Sequence, residues 1–452
     1  MRRFVAPAIA LVTVVAFVAP VAGVGCATSA SDAQTHGPVF GFDASGSSDD
    51  AGEPADGASP VPTNDASTVD APSSIDATDA YDVEASASED AGDAGVTGTD
   101  CGSPTVVVAG SGSSLVGAVA VGAGSFTTQA ITGSLASAPA LVATSTGFEA
   151  LAAMNVDAGG GGALFGFGLA GTTWSTPAAL GANASAVDGP AAAAMGATLQ
   201  AVYLNPAHFY FHASFNGTSW DTGADKVEVG AAPQSFGPVR ASAAASANEL
   251  VIAYEGNDTH LYAQSWTSAG GWQTAVQLGT VALGTNLAPA IIPFVAPTSD
   301  GGTSDFLVVC ALASSANPPI NTIDYAIRDG ATKTWSAPVA TNANAYTPNE
   351  PSLAAMSGGR AIVGWRGGNG LAYTMELTST QGLAWSVPTP IGSGQITAAP
   401  SLATGTCGHD AVAAMATAGA VTIASYASGA WASPTAIAGI SGASYATIAT
   451  SP

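Results

Sequence analysis

A short aromatic phrase recurs along the chain at intervals near 50 residues and constrains the fold more than any other feature. Each copy has a Trp or Phe followed by small polar residues, with a Pro in the four strongest copies. The copies begin at Phe126, Trp174, Trp220, Trp272, Trp335, Trp385 and Trp431. Their successive spacings are 48, 46, 52, 63, 50 and 46 residues. Between the copies, short β-type runs alternate with Gly, Asn and Ser turns, while helical periodicity is scarce.

Seven units of this length each accommodate four strands and their turns, which is the size of a propeller blade. A Pro opens the first strand of most units, where it removes no needed ladder donor. These prolines are Pro139, Pro190, Pro238, Pro289, Pro351 and Pro400. The sequence therefore predicts an all-β protein, a seven-bladed β-propeller of four-stranded antiparallel blades.

The first blade is expected to be completed by the other end of the chain. Thr105–Val108 and Leu115–Val119 have the character of second and third strands, with no first strand before them. Ser444–Thr450 has the character of a first strand with no blade after it. We predict that it pairs into the N-terminal blade and closes the ring, which removes an exposed strand edge. The repeated Trp residues are then expected to pack between blades.

Residues 1–25 have the pattern of a secretory signal: basic Arg2 and Arg3, an apolar run, then small residues. The end, Gly23-Val24-Gly25-Cys26, resembles a bacterial lipobox, although Gly23 stands where that motif prefers Leu. The resemblance implies lipidation of Cys26. Ordinary cleavage after Ala30 is the alternative. The chain is expected to be exported and held by a lipid at the outer membrane, the cell surface or in the periplasm.

Residues 26–100 are expected to form a disordered acidic linker, and 101–452 the propeller. Half of the 32 acidic residues lie in 27–100, which has no Lys or Arg. Such a segment buries too little apolar surface to offset the entropy of ordering it. Its acidic runs lack the Gly and closing Glu of an EF-hand loop, so a tether is favoured over a calcium site. The acidic balance excludes nucleic acid as a partner.

Three cysteines follow Cys26 in the chain. Cys310 lies in an apolar run and is expected to be a buried thiol. Cys101 and Cys407 each precede a second strand in blades that meet at the seam of the ring, so a disulfide between them is predicted for an oxidising compartment. A metal site from Cys407 and His409 is the alternative, but no ligand cluster supports it.

Catalysis is not predicted. The segment from Thr378 to Trp385 resembles the Asp-box of sialidase-like propellers, with Thr380 in place of Asp, but that box stabilises a turn and performs no chemistry. The four Arg residues of 101–452 fall in three blades, whereas a sialidase needs them clustered. No nucleophile-elbow, metal or cofactor pattern is present in the sequence.

Two turns between second and third strands resemble repeats of seven-bladed bacterial fucose-binding lectins. In those repeats an aromatic, a charged residue, Gly, Asn or Asp and then Leu-Tyr lead on to a Trp-Ser phrase. The resemblance implies ligand contacts, and the candidates are Trp365, Arg366, Asn369, Tyr373, Tyr254, Glu255, Asn257 and Tyr262. An aromatic ring face and planar polar groups are what a sugar site requires. The alternative is that these residues form hairpin turns and packing only.

The function predicted from the sequence is therefore non-enzymatic binding of a carbohydrate or glycoconjugate, with a membrane contacted only through the lipid. A protein-interaction or scaffold propeller is the second hypothesis, because this fold supports both. A sialidase-like glycoside hydrolase is the third.

Overall fold

The computed structural model describes residues 102–451 except 112–113, 123, 156–161, 182–183, 222–238, 285–286, 298–301, 314–320 and 378–383. Within these residues the chain forms strands and turns and no α-helix, so no helix there could cross a membrane. The strands, numbered in chain order, assemble into seven antiparallel sheets. The predicted seven-bladed propeller of four-stranded blades is confirmed.

The blades are numbered I to VII along the chain, and their strands are given from the innermost outward. Blade I contains β33 (Tyr445–Thr450), β1 (Pro104–Ser111), β2 (Ser114–Val121) and β3 (Thr127–Ile131). Blade II contains β4 (Ala140–Thr144), β5 (Gly147–Met154), β6 (Gly162–Ala170) and the short β7 (Thr173–Trp174), β8 (Ala178–Ala179) and β9 (Ser185–Ala186). Blade III contains β10 (Ala191–Met195), β11 (Thr198–Leu204), β12 (Tyr210–Phe215) and β13 (Trp220–Asp221).

The remaining four blades follow the same plan. Blade IV contains β14 (Ser242–Ala245), β15 (Leu250–Glu255), β16 (His260–Thr267), β17 (Gly271–Trp272) and β18 (Val276–Ala282). Blade V contains β19 (Ala290–Pro293), β20 (Ser304–Ala313), β21 (Asn321–Asp329), β22 (Val339–Ala340) and β23 (Tyr346–Thr347). Blade VI contains β24 (Ser352–Met356), β25 (Arg360–Arg366), β26 (Leu371–Glu376) and β27 (Thr389–Gln395). Blade VII contains β28 (Ser401–Thr404), β29 (Ala411–Ala416), β30 (Val421–Ala427), β31 (Ala430–Trp431) and β32 (Thr435–Ala436).

The ring closes at blade I, as predicted. β33 pairs antiparallel with β1, from Thr105 opposite Thr450 to Gly110 opposite Tyr445. The innermost strands also contact one another around the axis, and β33 lies between β28 of blade VII and β4 of blade II. The seam is therefore an ordinary blade whose first strand comes from the far end of the chain.

The fourth strand of most blades is interrupted just after the repeated Trp. In blade II, β7 and β8 both pair with β6, and Ser175 to Pro177 separate them. Pro177 has no N–H to donate, so the ladder cannot run through it. The preceding Ser compensates: the Ser175 amide donates to the Gly168 carbonyl, and the Gly168 amide donates to Ser175 Oγ at 3.0 Å. Ser336 in blade V and Ser386 in blade VI repeat this exchange.

The repeated Trp residues pack between blades, as predicted. In blades II, III, IV, VI and VII the repeated Trp lies against the same third-strand position of the preceding blade. Gly117 leaves room for the Trp174 ring, His212 meets Trp272 edge-on at 5.3 Å, and Thr374 Oγ1 accepts a 2.8 Å hydrogen bond from Trp431. The size of the residue at this position therefore varies with how closely the next Trp approaches.

The innermost strands consist largely of Ala, Ser, Thr and Pro and present their second edge to the axis. Hydroxyl groups link this edge from blade to blade. Ser242 Oγ accepts from the Ile291 amide at 3.1 Å, Ser401 Oγ accepts from the Ile448 amide at 3.2 Å, and Thr447 Oγ1 donates to the Pro139 carbonyl at 2.9 Å. Small hydroxyl residues thus satisfy backbone N–H and C=O groups that a closed ring would otherwise leave unpaired.

The two cysteines among the described residues differ in state. Cys310 is a fully buried free thiol in β20, as predicted. Cys407 takes part in a disulfide bond. Cys101, its predicted partner, and Cys26, the predicted lipidation site, lie outside the described residues, as do the signal segment and the linker. The Cys101–Cys407 pairing and the predicted domain bounds remain predictions.

Candidate functional site

Three blades carry the same hairpin between their second and third strands. One pair before the end of each ladder, two aromatic residues lie opposite each other: Trp365 and Tyr373 in blade VI, Tyr254 and Tyr262 in blade IV, and Tyr203 and Phe211 in blade III. Each turn begins with an amide that donates four residues ahead at 2.9 Å, as from Gly367 to the Leu371 carbonyl. Each also places one residue at positive φ, namely Gly370, Thr259 and His208.

The paired aromatics of these hairpins stack on one another. Their ring centroids are 5.9 Å apart in blades VI and IV and 5.8 Å in blade III, with interplanar angles of 16–23°. Trp365 and Tyr254 are the inner members, 2% and 0% exposed, and Tyr373 and Tyr262 are the half-buried outer members. A molecule arriving from solvent therefore meets the outer tyrosines and not the two inner rings.

Each outer tyrosine carries a polar partner from its own turn. Asn369 Nδ2 donates to the Tyr373 hydroxyl at 2.9 Å, and the Tyr262 hydroxyl donates to Asp258 Oδ2 at 2.8 Å. Partial burial raises the pKa of Asp258, but hydrogen bonds from Tyr262 and from the His260 amide outweigh it and bring the pKa below its usual value. Asp258 is thus a fixed anionic acceptor. The sequence reasoning omitted it, although Asn257-Asp258 in the turn is visible in the sequence.

The charged residue that follows the inner aromatic differs between blades VI and IV. Arg366 donates from Nε to the Ile396 carbonyl at 2.8 Å and from Nη1 to Asn349 Oδ1 at 3.3 Å, so it joins the loops that precede and follow blade VI. Glu255, at the same position, is 3% exposed, and its Oε2 has no hydrogen-bond partner in the described part of the chain. Burial raises the pKa of Glu255 to about 7. Asn257 is exposed beside it.

The other three arginines of the propeller form ion pairs. At the end of the ring away from these hairpins, buried Arg328 joins Glu249 and Asp305, and Arg360 joins Glu376 and Asp410. Arg240 pairs with Glu350 at the hairpin end of the ring. With Arg366 also engaged, the arginines lie apart and serve contacts within the fold. A clustered Arg site for a sialic acid carboxylate is therefore absent from these four positions.

A cavity of about 650 Å³ lies on the axis, lined by the innermost strands and the residues that lead into them. Three residues that line it, Arg240, Glu350 and Tyr445, occupy equivalent positions in their blades. Arg240 lies two residues before the first paired residue of β14, and Glu350 lies two residues before that of β24. Tyr445 lies two residues before Thr447, the matching residue of β33. No motif in the sequence marked these residues. A comparison between repeats of the residue just before each strand-opening position could have found them. In the described part of the chain, no three His, Cys, Asp or Glu residues are grouped to hold a metal ion.

No protein-family model matches the chain, and no curated protein matches it. Among solved structures, a lectin from Burkholderia pseudomallei superposes with a TM-score of 0.59 at 16% identity, covering 75% of this chain and 96% of that one. The Arthrobotrys oligospora protein AofleA gives a TM-score of 0.45 at 14% identity over 70% and 88% of the two chains. The six-bladed Aleuria aurantia lectin gives 0.42 at 13% over 67% and 96%. The first of these establishes a shared fold.

Proposed function

We propose that this propeller binds carbohydrate without transforming it, at the outer surface of the hairpins in blades IV and VI. The observation that carries the proposal is the repeated pairing of a half-buried Tyr with an amide or carboxylate from its own turn, Tyr373 with Asn369 and Tyr262 with Asp258. The two hairpins hold these groups at matching positions of the ring. Small-molecule binding sites typically combine an aromatic surface with a few fixed polar groups.

The chemistry of the pairs suits hydroxyl-rich ligands. A phenol hydroxyl both donates and accepts, an amide does the same through separate atoms, and the Asp258 carboxylate only accepts. Each such pair could satisfy neighbouring sugar hydroxyls while the ring edge of its Tyr contacts the apolar C–H surface. The shared fold with a bacterial lectin supports the proposal. The four arginines lie in separate ion pairs and loop contacts and not in one cluster, which speaks against a sialidase-like reaction.

A glycan array probed with the full chain tests the proposal. We expect saturable binding that weakens about tenfold or more in Asn369→Ala and Asp258→Ala, because each change removes a hydrogen-bonding group from the ligand's surface. Tyr426→Phe is the matched control: it removes a Tyr hydroxyl that contacts Glu376 at the far end of the ring. Binding in this control should equal that of the unaltered chain.

Three outcomes would refute the proposal. Absence of binding to every glycan, together with saturable capture of a protein in a pull-down, would favour the scaffold hypothesis. Turnover of a fluorogenic sialoside would favour the hydrolase. Glycan binding that survives both hairpin substitutions would place the site elsewhere on the ring.

We further propose that the protein is exported and anchored through a lipid on Cys26. The support is the basic start, the apolar run and the lipobox-like Gly23-Val24-Gly25-Cys26. Metabolic labelling with a fatty acid should mark the protein in a bacterial host and fail to mark Cys26→Ser. Export of an unlabelled protein cleaved after Ala30 would contradict the anchor but not the export.

A further inference from the structure

The residues that lead into the seven innermost strands form a ring around one end of the axial cavity. Four of the equivalent positions carry almost no side chain: Ala138, Gly189, Ala288 and Ala399. The other three carry Arg240, Glu350 and Tyr445, and all three line the cavity. The four blades with Ala or Gly at this position therefore leave the mouth open, and the other three place charged or aromatic side chains in it.

Arg240 and Glu350 pair across the mouth of the cavity. They come from blades IV and VI, so the pair reaches past blade V, where Ala288 stands at the equivalent position. Both remain partly accessible, with side chains 24% and 32% exposed. A salt bridge between non-adjacent blades is not needed to join neighbouring sheets, since packing and hydroxyl contacts already do so.

The pair leaves most of its hydrogen-bonding capacity unused. Arg240 contacts Glu350 through Nη2 alone, and Glu350 accepts through Oε1 alone. A guanidinium has five N–H donors and a carboxylate has two oxygens. The other hydrogen bond of Arg240 to the described part of the chain comes from its backbone amide, which donates to Asp188. The remaining N–H donors of Arg240 and the second carboxylate oxygen of Glu350 are thus available to a ligand at the cavity mouth.

Charges of both signs meet at the mouth of the cavity. Asp188 lies close to Arg240 and accepts a hydrogen bond from its backbone amide at 3.1 Å. Asp188 and Glu350 together outnumber Arg240, and residues 101–452 carry more acidic than basic residues. A free anion would meet these two carboxylates as well as Arg240, and a free cation would meet the Arg240 guanidinium as well as the carboxylates. A molecule that carries both charges can satisfy both sides at no net electrostatic cost.

We propose that the mouth of the axial cavity is a second binding site, for small zwitterions of the α-amino acid class. The ligand carboxylate would take the unused guanidinium edge of Arg240, because planar bidentate pairing is the geometry Arg favours. The ligand ammonium would lie on Glu350. The ligand side chain would lie over the Ala and Pro surface of the cavity, beside Tyr445. The volume of about 650 Å³ is within the range of small-molecule sites.

Titration calorimetry of the full chain with free amino acids and blocked derivatives tests the proposal. We expect saturable binding of at least one amino acid among glycine, alanine, leucine and phenylalanine. Its N-acetyl derivative lacks the ammonium, and its amide lacks the carboxylate. Both should bind at least about tenfold more weakly, because each loses a charged hydrogen-bonded contact. This comparison uses the unaltered protein and does not depend on whether a variant folds.

Substitutions then locate the site. Arg240→Gln and Glu350→Gln should each lower the affinity at least about tenfold. Arg360→Gln is the control, since it removes an Arg from an ion pair at the other end of the ring. Failure of every amino acid to bind, equal binding of the blocked derivatives, or unchanged affinity in Arg240→Gln would overturn the proposal. Glycan binding should be unaffected by Arg240→Gln, so the two proposed sites can fail independently.

Discussion

In this propeller, the size of a residue at the blade interface depends on the side chain that the neighbouring blade places against it. At the third-strand position that meets the next blade's Trp, Gly117 faces Trp174 and Gly166 faces Trp220. A Cβ at Gly117 would lie 2.0 Å from the Trp174 ring nitrogen, whereas a Cβ at Gly166 would lie 3.2 Å from that of Trp220. Two glycines with the same place in the sequence repeat therefore differ in how strictly they are required.

Gly117→Ala is expected to destabilise the protein by about 1–3 kcal/mol, because the buried Trp174 ring must move to admit a methyl group. Gly166→Ala is the matched control and should cost clearly less. Urea unfolding followed by Trp fluorescence measures both. Equal losses in the two variants would contradict the packing described for the blade I–II interface.

Glu255 makes stability depend on pH. Its pKa is about 7 in the folded protein because of burial, above that of a solvated carboxyl. Between the ordinary Glu value and about 7, the unfolded chain loses this proton while the folded chain keeps it, so stability falls as pH rises and then levels off. Glu255→Gln should therefore match the unaltered protein near pH 4 and exceed it at pH 8, by on the order of 1–2 kcal/mol.

Melting temperatures of both proteins from pH 4 to 9 measure this difference. A difference that is constant across the range would show that Glu255 does not titrate in the folded state.

The fourth strand shows how a repeated phrase becomes a structural element. Trp packs the strand against the preceding blade, the Ser hydroxyl accepts a ladder hydrogen bond, and Pro interrupts the pairing. Blade VII carries Ala432 where blades II, V and VI have Ser, and only its amide bonds to the Ser425 carbonyl. The strand can therefore form without the hydroxyl contact.

Ser386→Ala should cost about 1 kcal/mol, because the Glu376 amide loses its acceptor at 2.9 Å. The reverse change, Ala432→Ser, should be neutral or stabilise by up to a similar amount. Denaturant midpoints of the two variants provide the measurement. If Ser386→Ala has no effect, water replaces the hydroxyl and the phrase is retained for another reason.

The strands could be predicted from the sequence more fully than the candidate binding site. The Trp-Ser-x-Pro phrases and the strand-opening prolines depend on backbone hydrogen bonding, which recurs in every blade and is therefore visible as periodicity. Whether Trp365 or Tyr373 faces solvent depends on how the two rings stack within one hairpin. The repeat period of the sequence carries no information about this stacking. The Arg240–Glu350 pair joins residues 110 positions apart across the ring axis, and only the assembled ring brings them together.

At the scale of the whole molecule, closure of the ring depends on one long-range pairing. β33 covers the inner edge of β1 over Thr105–Gly110 and also contacts β4 and β28. Val106, Val107 and Val108 in β1 are fully buried. Without β33, an apolar strand would present an open edge, a known cause of edge-to-edge aggregation.

Deletion of residues 444–452 should therefore give a protein that aggregates or loses cooperative unfolding. Deletion of Pro452 alone is the control and should leave both properties unchanged. Size-exclusion chromatography and a thermal melt distinguish the two outcomes. A monomeric truncated chain with the original melting temperature would contradict closure by β33.

The predicted Cys101–Cys407 disulfide would join the start of the propeller to blade VII, next to the seam. Cys407→Ser should lower stability by about 2–4 kcal/mol, because the unfolded chain is freed from a large loop constraint. Mass spectrometry of a non-reducing digest should recover a peptide that links Cys101 to Cys407. Alkylation of Cys101 without prior reduction would contradict the pairing.

Closure by a shared blade also limits how such a ring can diversify. In an open row of stacked sheets, a repeat can be lost from either end without disturbing the others. Here the two ends of the ring are unequal fragments of one sheet, β1 to β3 on one side and β33 on the other. A repeat can be gained or lost only in the interior, with both fragments inherited together. Any such change would also alter the diameter of the axial opening and so the span across which Arg240 meets Glu350.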